Sequence, residues 1–318
     1  MKKIIIGTRK SRMAIAQTNE FINKFLEANP KFNIENIEVK TVNTSGDINQ
    51  LDRLDLIGGK GLFIKEIEQM LLNKEIDVAV HSMKDMPTIM TPGTKISAWL
   101  PRGDHHEALI SNEKKTITEL QPSSVIGTSS IRRRSQILHA RKDLVIKLIR
   151  GNVDSRINKL ERKEYDALIL GYGGIKRLNF EKKVTQIFST NEVLPPACQA
   201  SVGLQTTEED NEFTNLISNT NHEHSSIIGI TERKVLEVLG ANCNSPIGVN
   251  ASIQDSEIYL KAELLSHNGK EKYDAKGSAK ITDSLSLAKK VAGKIVDQVG
   301  INYIKKLDIL QDDFNYTP

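Results

Sequence analysis

Val125–Arg134 reads VIGTSSIRRR, and Arg150–Arg156 reads RGNVDSR. Short apolar runs, Val125–Gly127 and Val145–Leu148, precede the two stretches, and helical patterns start at Ile131 and Val153. The same strand-to-helix turn is therefore written twice, which is the grammar of a mainly parallel α/β sheet. At such a turn the first backbone N–H groups lack helical partners, and the helix dipole favours negative charge. Arginine adds a planar fork that matches a carboxylate bidentately. Five arginines stand at these two turns, so the expected ligand carries several carboxylates or phosphates.

The same rhythm extends in both directions. Strands are expected at Lys3–Ile6, Ile37–Val42 and Asp77–Val80, with helices at Ser11–Ala28 and Gly61–Leu72 between them. It restarts after Trp99–Asp104, runs through a strand at Ala167–Leu170 and a helix from Gly174, and closes at Leu194–Ala197. Two α/β units joined by two short crossings predict a hinged pair, with ligands at the strand ends facing a cleft. The last third differs: a helix near His224–Leu239 stopping at Gly240, strands at Gly248–Ile253 and Ile258–Leu265, and an amphipathic helix at Ser284–Val299. That is a small α+β domain.

With 318 residues, 38% hydrophobic and 26% charged, the chain is that of a globular protein of two or three domains. The net charge of +4 is too small to argue for nucleic acid, and one tryptophan offers no stacking platform for single strands. The start, MKKIIIGTRK, lacks the apolar length of a signal peptide, and no stretch approaches the ~20 apolar residues of a membrane span. A cytoplasmic protein is expected, with Cys198 and Cys243 as free thiols.

Three further stretches carry chemistry. Val80–Pro87, VHSMKDMP, begins at a strand end and supplies His81, Ser82, Lys84 and Asp85. Alone it would be a polar turn; beside an anion site, its carboxylate flanked by cations can handle protons or stabilise a developing cation. Gly58–Lys65, GGKGLFIK, lacks phosphate-loop spacing, and the polar run from Asn43 to Lys60 suits a lid. Cys243 in ANCNSPIG has no histidine or metal partner in sequence, which leaves a buried small hydrophobe or a covalent attachment point.

Together the blocks GTRKSRMAIAQ, GGKGLFIKEIE, VHSMKDMP, IGTSSIRRR, RGNVDSRINKL, YDALIL, GGIKRL, TERKVL and CNSPIG closely resemble the hydroxymethylbilane synthase (porphobilinogen deaminase) family, in family order over nearly the whole chain. The resemblance implies two periplasmic-binding-protein-like α/β domains, at 1–98 with about 199–217 and at 103–193, plus a C-terminal α+β domain at 220–318. It implies a monomeric transferase of haem biosynthesis that joins four porphobilinogen molecules into 1-hydroxymethylbilane on a dipyrromethane primer, with no nucleic acid, membrane or metal. The primer would be a thioether on Cys243. Asp85 would be the catalytic carboxylate, stabilising a cationic azafulvene and accepting the ring proton. Ser82, Lys84, Asp85, Thr128, Ser130, Arg132 and Arg133 would hold the primer. Arg9, Ser11, Arg150, Arg156, Arg177 and Gln199 would serve arriving substrate, and Lys60 would belong to the lid. A binding module without catalysis on the same fold is the alternative, disfavoured because simple anion binding needs neither Asp85 nor Cys243.

Two departures stand out. Cys198-Gln199-Ala200 replaces a common Gly-Gln-Gly, and Ala241-Asn242 replaces two glycines. Each added Cβ predicts strain wherever φ is positive. Cys198 is expected to be open to oxidation, and Arg134, the one residue of the run without a role, to face solvent.

Overall fold

The computed structural model describes residues 3–42, 64–209, 212–241 and 245–309. Lys60 and Cys243 lie outside them, as does the whole of the expected lid from Asn43 to Lys60. The chain forms two compact units, Met1–Gly103 with Ala200–Ile227, and Asp104–Gln199 with Ile228–Pro318.

In chain order, the first unit contributes β1 (Ile4–Arg9), α1 (Arg12–Ala28), β2 (Ile37–Val42), α2 (Lys65–Leu72), β3 (Val78–Ser82) and β4 (Thr94–Trp99). The second supplies β5 (Glu107–Ser111), β6 (Val125–Gly127), α3 (Ile131–Ala140), β7 (Val145–Lys147), α4 (Val153–Glu161), β8 (Ala167–Gly171), α5 (Tyr172–Arg177) and β9 (Gln186–Phe188). The chain returns to the first unit as β10 (Val202–Thr207) and α6 (Glu212–Ser218). Helix α7 (Glu223–Leu239) starts there and ends in the second unit. Then follow β11 (Ile247–Gln254), β12 (Glu257–Leu265), β13 (Lys272–Lys280), α8 (Ser284–Val299) and α9 (Ile301–Ile309).

The first sheet has the order β2-β1-β3-β10-β4, with β2, β1 and β3 parallel and β10 antiparallel to both neighbours. Ser11 starts α1 by accepting the Ala14 N–H at 3.2 Å. Phe21 and Phe25 of that helix meet edge to face and pack in one core with Ile4, Ile6, Val78 and Val80. On the other face Ile67 and Leu71 of α2 cover Ile76 and Ala79.

The returning strand β10 shows no apolar alternation, because its partners are polar. A register shift between Leu204 and Gln205 re-aims the chain there. Gln205 is fully buried; its amide donates to Glu68 of α2 at 2.7 Å and to the Thr94 hydroxyl at 2.8 Å. Its carbonyl oxygen must therefore accept from Nε2–H of His81, 2.9 Å away. Thr91 closes the network with a 2.6 Å bond to the second Glu68 oxygen.

In the second unit the order is β7-β6-β8-β5-β9, with β7, β6 and β8 parallel and β5 antiparallel to β8 and β9. Successive residues go to opposite faces, as the pleat requires. Leu109, Ala167 and Ile169 meet Ile137 of α3, while Ala108, Ile110, Leu168 and Leu170 meet Ile157 and Leu160 of α4 and Ile175 of α5. A sheet covered on both faces needs the continuous apolar run ALIL that the sequence carries. The third sheet, β11-β12-β13, is antiparallel and backed by α8 through Leu287, Val291 and Ile295. It belongs to the second unit, packed beside α3.

The expected strain is present at one departure. Cys198 has φ +59° and Ala200 φ +63°, the left-handed region that favours glycine. Ala241 shows no positive φ, and Asn242 lies outside the described residues. Cys198 is 1% exposed, its thiol against the Gly229 carbonyl at 3.5 Å, so burial corrects the expectation of an oxidation-prone thiol.

Two outcomes follow. Ala200→Gly should raise stability by about 1 kcal/mol, because glycine relieves the left-handed penalty; an unchanged or lower urea midpoint would contradict this. Burial, helped by the charge of Arg9 and opposed by the Gln205 bond, presses His81 down to about 4 from 6.5. Between those values the unfolded chain binds a proton that folded His81 refuses, so stability is full above pH 6.5 and falls toward pH 4. The loss from this group is up to about 3 kcal/mol. Urea unfolding at pH 7 and pH 4.5 should therefore show a smaller drop for His81→Asn than for the unaltered chain.

Candidate functional site

Parallel neighbours end at the same edge of a sheet, and that rule places the predicted residues. In the first unit β1 ends at Arg9, followed by Ser11, and the adjacent β3 ends at Ser82. Ser82 runs into a 3-10 turn, Met83–Asp85. Met83 and Met86 are buried, and the Met83 N–H donates to the Ser201 carbonyl at 3.0 Å. With both methionines pinned inward, Lys84 and Asp85 project outward and are exposed. No described residue hydrogen-bonds the Asp85 carboxylate, which leaves it open to a ligand. The Ser82 hydroxyl meets the Gln17 carboxamide of α1 at 2.7 Å.

In the second unit the parallel strands β7, β6 and β8 also end together, and the antiparallel β5 begins there, with Glu107 paired to Gly171. After β6, the Thr128 hydroxyl accepts the Ser130 N–H at 3.2 Å, and Ser130 caps α3 by accepting the Arg133 N–H at 3.4 Å. This leaves α3 entering with Arg132 and Arg133 against the sheet; both are buried. Glu107, with no exposure, lies between them: one oxygen pairs with Arg132, the other with Arg133 at 2.8 Å. Burial presses the Arg132 guanidinium below its ordinary range, opposed by Glu107.

The second arginine group joins the first. Gly151 has φ +110°, and a Cβ there would sit 2.3 Å from the Ser155 hydroxyl, so only glycine makes this turn. The turn lets Arg156 Nε donate back to the Gly151 carbonyl at 2.7 Å. The Arg156 guanidinium is pressed down to about 10, first by burial and then by the charges of Arg133 and Arg150. Three guanidiniums therefore crowd one place. The Nε–H groups of Arg132, Arg133 and Arg150 are shielded from water and hydrogen-bond to none of the described residues. Buried donors of that kind need acceptors, and like charges so placed need an anion. The residues present fit a ligand with several carboxylates.

The structure gives the surroundings of the other predicted positions, and of these Arg134 differs from expectation. Arg132 is turned inward, its NH1 donating to the Leu194 carbonyl at 2.7 Å and to Gln136 at 3.0 Å, its NH2 to Glu107. Arg134, expected in solvent, is half-buried with a shielded Nε. Its helix packs on both sides, so no face of the first turn is fully free. Arg177 ends α5 half-buried. Gln199 is 2% exposed and donates to the His105 carbonyl at 2.8 Å, tying down the crossing segment. Glu107, Gln136 and Glu263 escaped the sequence reading. The only available signal was a charge inside an apolar strand pattern, as in HHEALI and AELL.

No described cluster of His, Cys, Asp and Glu is arranged to hold a metal, and no described helix is long and apolar enough to cross a membrane. A family model described as "Porphobilinogen deaminase, dipyromethane cofactor binding domain" matches residues 4–215. A second, "Porphobilinogen deaminase, C-terminal domain", matches 227–297. The porphobilinogen deaminase of Geobacillus sp. (strain WCH70) is 40% identical over 309 residues, 96% of this chain and 94% of that protein. That of Lysinibacillus sphaericus (strain C3-41) is 39% identical over 313 residues, 98% and 99% of the two chains. Among solved structures, a periplasmic binding protein of Salmonella typhimurium overlaps 71% of this chain and 94% of its own, at 11% identity and a TM-score of 0.37. Two matching models and relatives aligned nearly end to end make this chain a member of the porphobilinogen deaminase family.

Proposed function

We propose that the chain is a transferase that joins four porphobilinogen molecules head to tail, releases four ammonia molecules, takes up one water and delivers 1-hydroxymethylbilane for tetrapyrrole (haem) biosynthesis. The observation that carries this reading is the crowding of Arg133, Arg150 and Arg156 around shielded N–H donors. Each porphobilinogen brings an acetate and a propionate, so a growing chain supplies the anions that such a site lacks. The reading includes a monomer in the cytoplasm that needs no metal.

The dipyrromethane, held as a thioether on Cys243, supplies the pyrrole carbon to which the first substrate is joined. In the second unit, Thr128, Ser130 and Arg133 are assigned to its carboxylates, with Arg132 acting beside them, and Arg150, Arg156 and Arg177 to arriving rings. Gln199 supports the substrate set by holding the crossing segment. In the first unit, Ser82 and Lys84 are assigned to the primer, Arg9 and Ser11 to the substrate, and Lys60 to a lid. The labour divides by domain: 1–98 with about 199–217 for catalysis, 103–193 for carboxylates, and 220–318 for the cysteine.

Asp85 is the catalytic group. Its exposed carboxylate can accept hydrogen bonds from pyrrole N–H groups and lower the energy of the cation left when ammonia departs. It then takes the proton shed by the ring carbon that forms the new bond. Lys84 beside it offers a cation for a primer carboxylate.

Intact mass of the purified chain, co-expressed with a porphobilinogen supply, should show a dipyrromethane adduct that Cys243→Ser abolishes; an unmodified mass for the unaltered chain overturns the reading. Asp85→Asn should keep the adduct and lower kcat by about 10²–10⁴-fold, the span of a lost acid–base group. Near-normal turnover by that variant would remove Asp85 from its role.

A further inference from the structure

Helix α3 has two working sides. One presents Arg132 and Arg133 to Glu107. The other is fastened to the third sheet: the Ser135 hydroxyl donates to the His267 carbonyl at 3.3 Å, and His139 Nδ1 meets the Gly269 carbonyl at 2.8 Å. Between these sides lies Gln136, 4% exposed. Its amide donates to the Leu194 carbonyl at 2.9 Å and to Glu263 of β12, and its carbonyl oxygen accepts from Arg132 at 3.0 Å. A flipped carboxamide would point its oxygen at a carbonyl and a carboxylate, so the polarity of this link has one solution.

A continuous polar line results. Lys272 holds one Glu263 oxygen at 3.0 Å, Glu263 holds Gln136, Gln136 holds Arg132, Arg132 holds Glu107, and Glu107 holds Arg133 at 2.8 Å. From Glu263 to Arg133 every member is buried. The line passes where β11 carries Gly248, whose added Cβ would fall 2.9 Å from Leu194 Cβ and 3.1 Å from Gln136 Nε2. The glycine that closes the CNSPIG block is therefore what admits the Gln136 carboxamide between helix and sheet.

At its far end the line meets the crowded site. Arg133 has a like-charged neighbour in Arg156, which also feels Arg150, so the place of its guanidinium depends on the bonds that hold it. Apart from Glu107, its guanidinium has one described bond, NH1 to the Ile169 carbonyl at 3.2 Å. We propose that Gln136 and Glu263 are positioning residues that hold Arg133 against its like-charged neighbour, so that the third sheet sets the geometry of the carboxylate site. The role in turnover rests on the function proposed above; the mechanical coupling rests on the polar line alone.

The test is amide-type exchange at the guanidiniums, read on the full chain labelled with ¹⁵N-arginine. Arg132 and Arg133 Nε–H should exchange slowly in the unaltered chain, and Gln136→Leu and Glu263→Leu should each speed Arg133 exchange by about tenfold. Glu263→Gln, which keeps an acceptor for Gln136, should restore most of the protection. In turnover, Gln136→Leu should raise KM for porphobilinogen by about tenfold while kcat changes little, a split that mere loss of stability does not give. If either leucine variant is folded by far-UV circular dichroism and its Arg133 exchange stays within about twofold of the unaltered chain, the coupling is wrong. Should Gln136→Leu not fold, the Glu263→Leu and Glu263→Gln pair gives the same decision. An unaltered chain without adduct or turnover sinks the proposed function, while the exchange measurement still decides the coupling.

Discussion

Glu107, a carboxylate without solvent, divided between two buried guanidiniums, is the interaction on which the second unit depends. A lone charge there would be prohibitive, and removing one partner of such a set costs about 3–5 kcal/mol. The arrangement persists because each group answers another: Arg132 bonds to Glu107, Gln136 and Leu194 and Arg133 to Glu107 and Ile169, which leaves the Nε–H of each arginine for a further acceptor. One negative charge against four arginines leaves the edge of the sheet positive. That surplus is local, which is why a net charge of only +4 does not reveal it.

Both large sheets deliver their chemistry by the same construction. Three parallel strands end together, and the side chains just past their ends are placed by short, rigid devices rather than long loops. In the first unit the device is a pair of buried methionines that leaves Lys84 and Asp85 no direction but outward. In the second it is a chain of caps, Thr128 to Ser130 to Arg133, with a glycine turn at Gly151. The buried bond from His81 to Gln205 serves the same purpose one residue before Ser82, tying the strand that leads into the Met83–Asp85 turn to β10 and α2.

The sequence was legible wherever burial follows hydropathy. Ile37–Val42, Val125–Gly127 and Ser284–Val299 occupy the expected spans, and α3 and α4 start at Ile131 and Val153 as expected. It was illegible where burial is polar or the strand lies at an edge. β10 carries Gln205, Thr206 and Thr207, whose partners come from α2 and β4, far away in sequence. β13 alternates lysines, serine and glycine along an edge, with only Ala275 buried. For the site, the anion-binding turns, the Asp85 turn and the strain at Cys198 and Ala200 could be read from residue type and spacing. The countercharge could not, since Glu107 lies 25 residues before Arg132, one strand earlier in the chain, and sits in an ordinary strand.

The run Arg132-Arg133-Arg134 shows why a motif cannot assign roles by itself. Three identical side chains on successive helical positions point about 100° apart, so they must meet three environments. Arg132 turns toward Glu107, Gln136 and the Leu194 carbonyl, Arg133 reaches Glu107 from the other side, and Arg134 lies half-buried. A motif preserves charge at three positions, but only the packing on either side of α3 decides which charge a ligand can use. Because one of those sides is the third sheet, a hydrogen-bonded line from Glu263 reaches Arg133 through Gln136, Arg132 and Glu107.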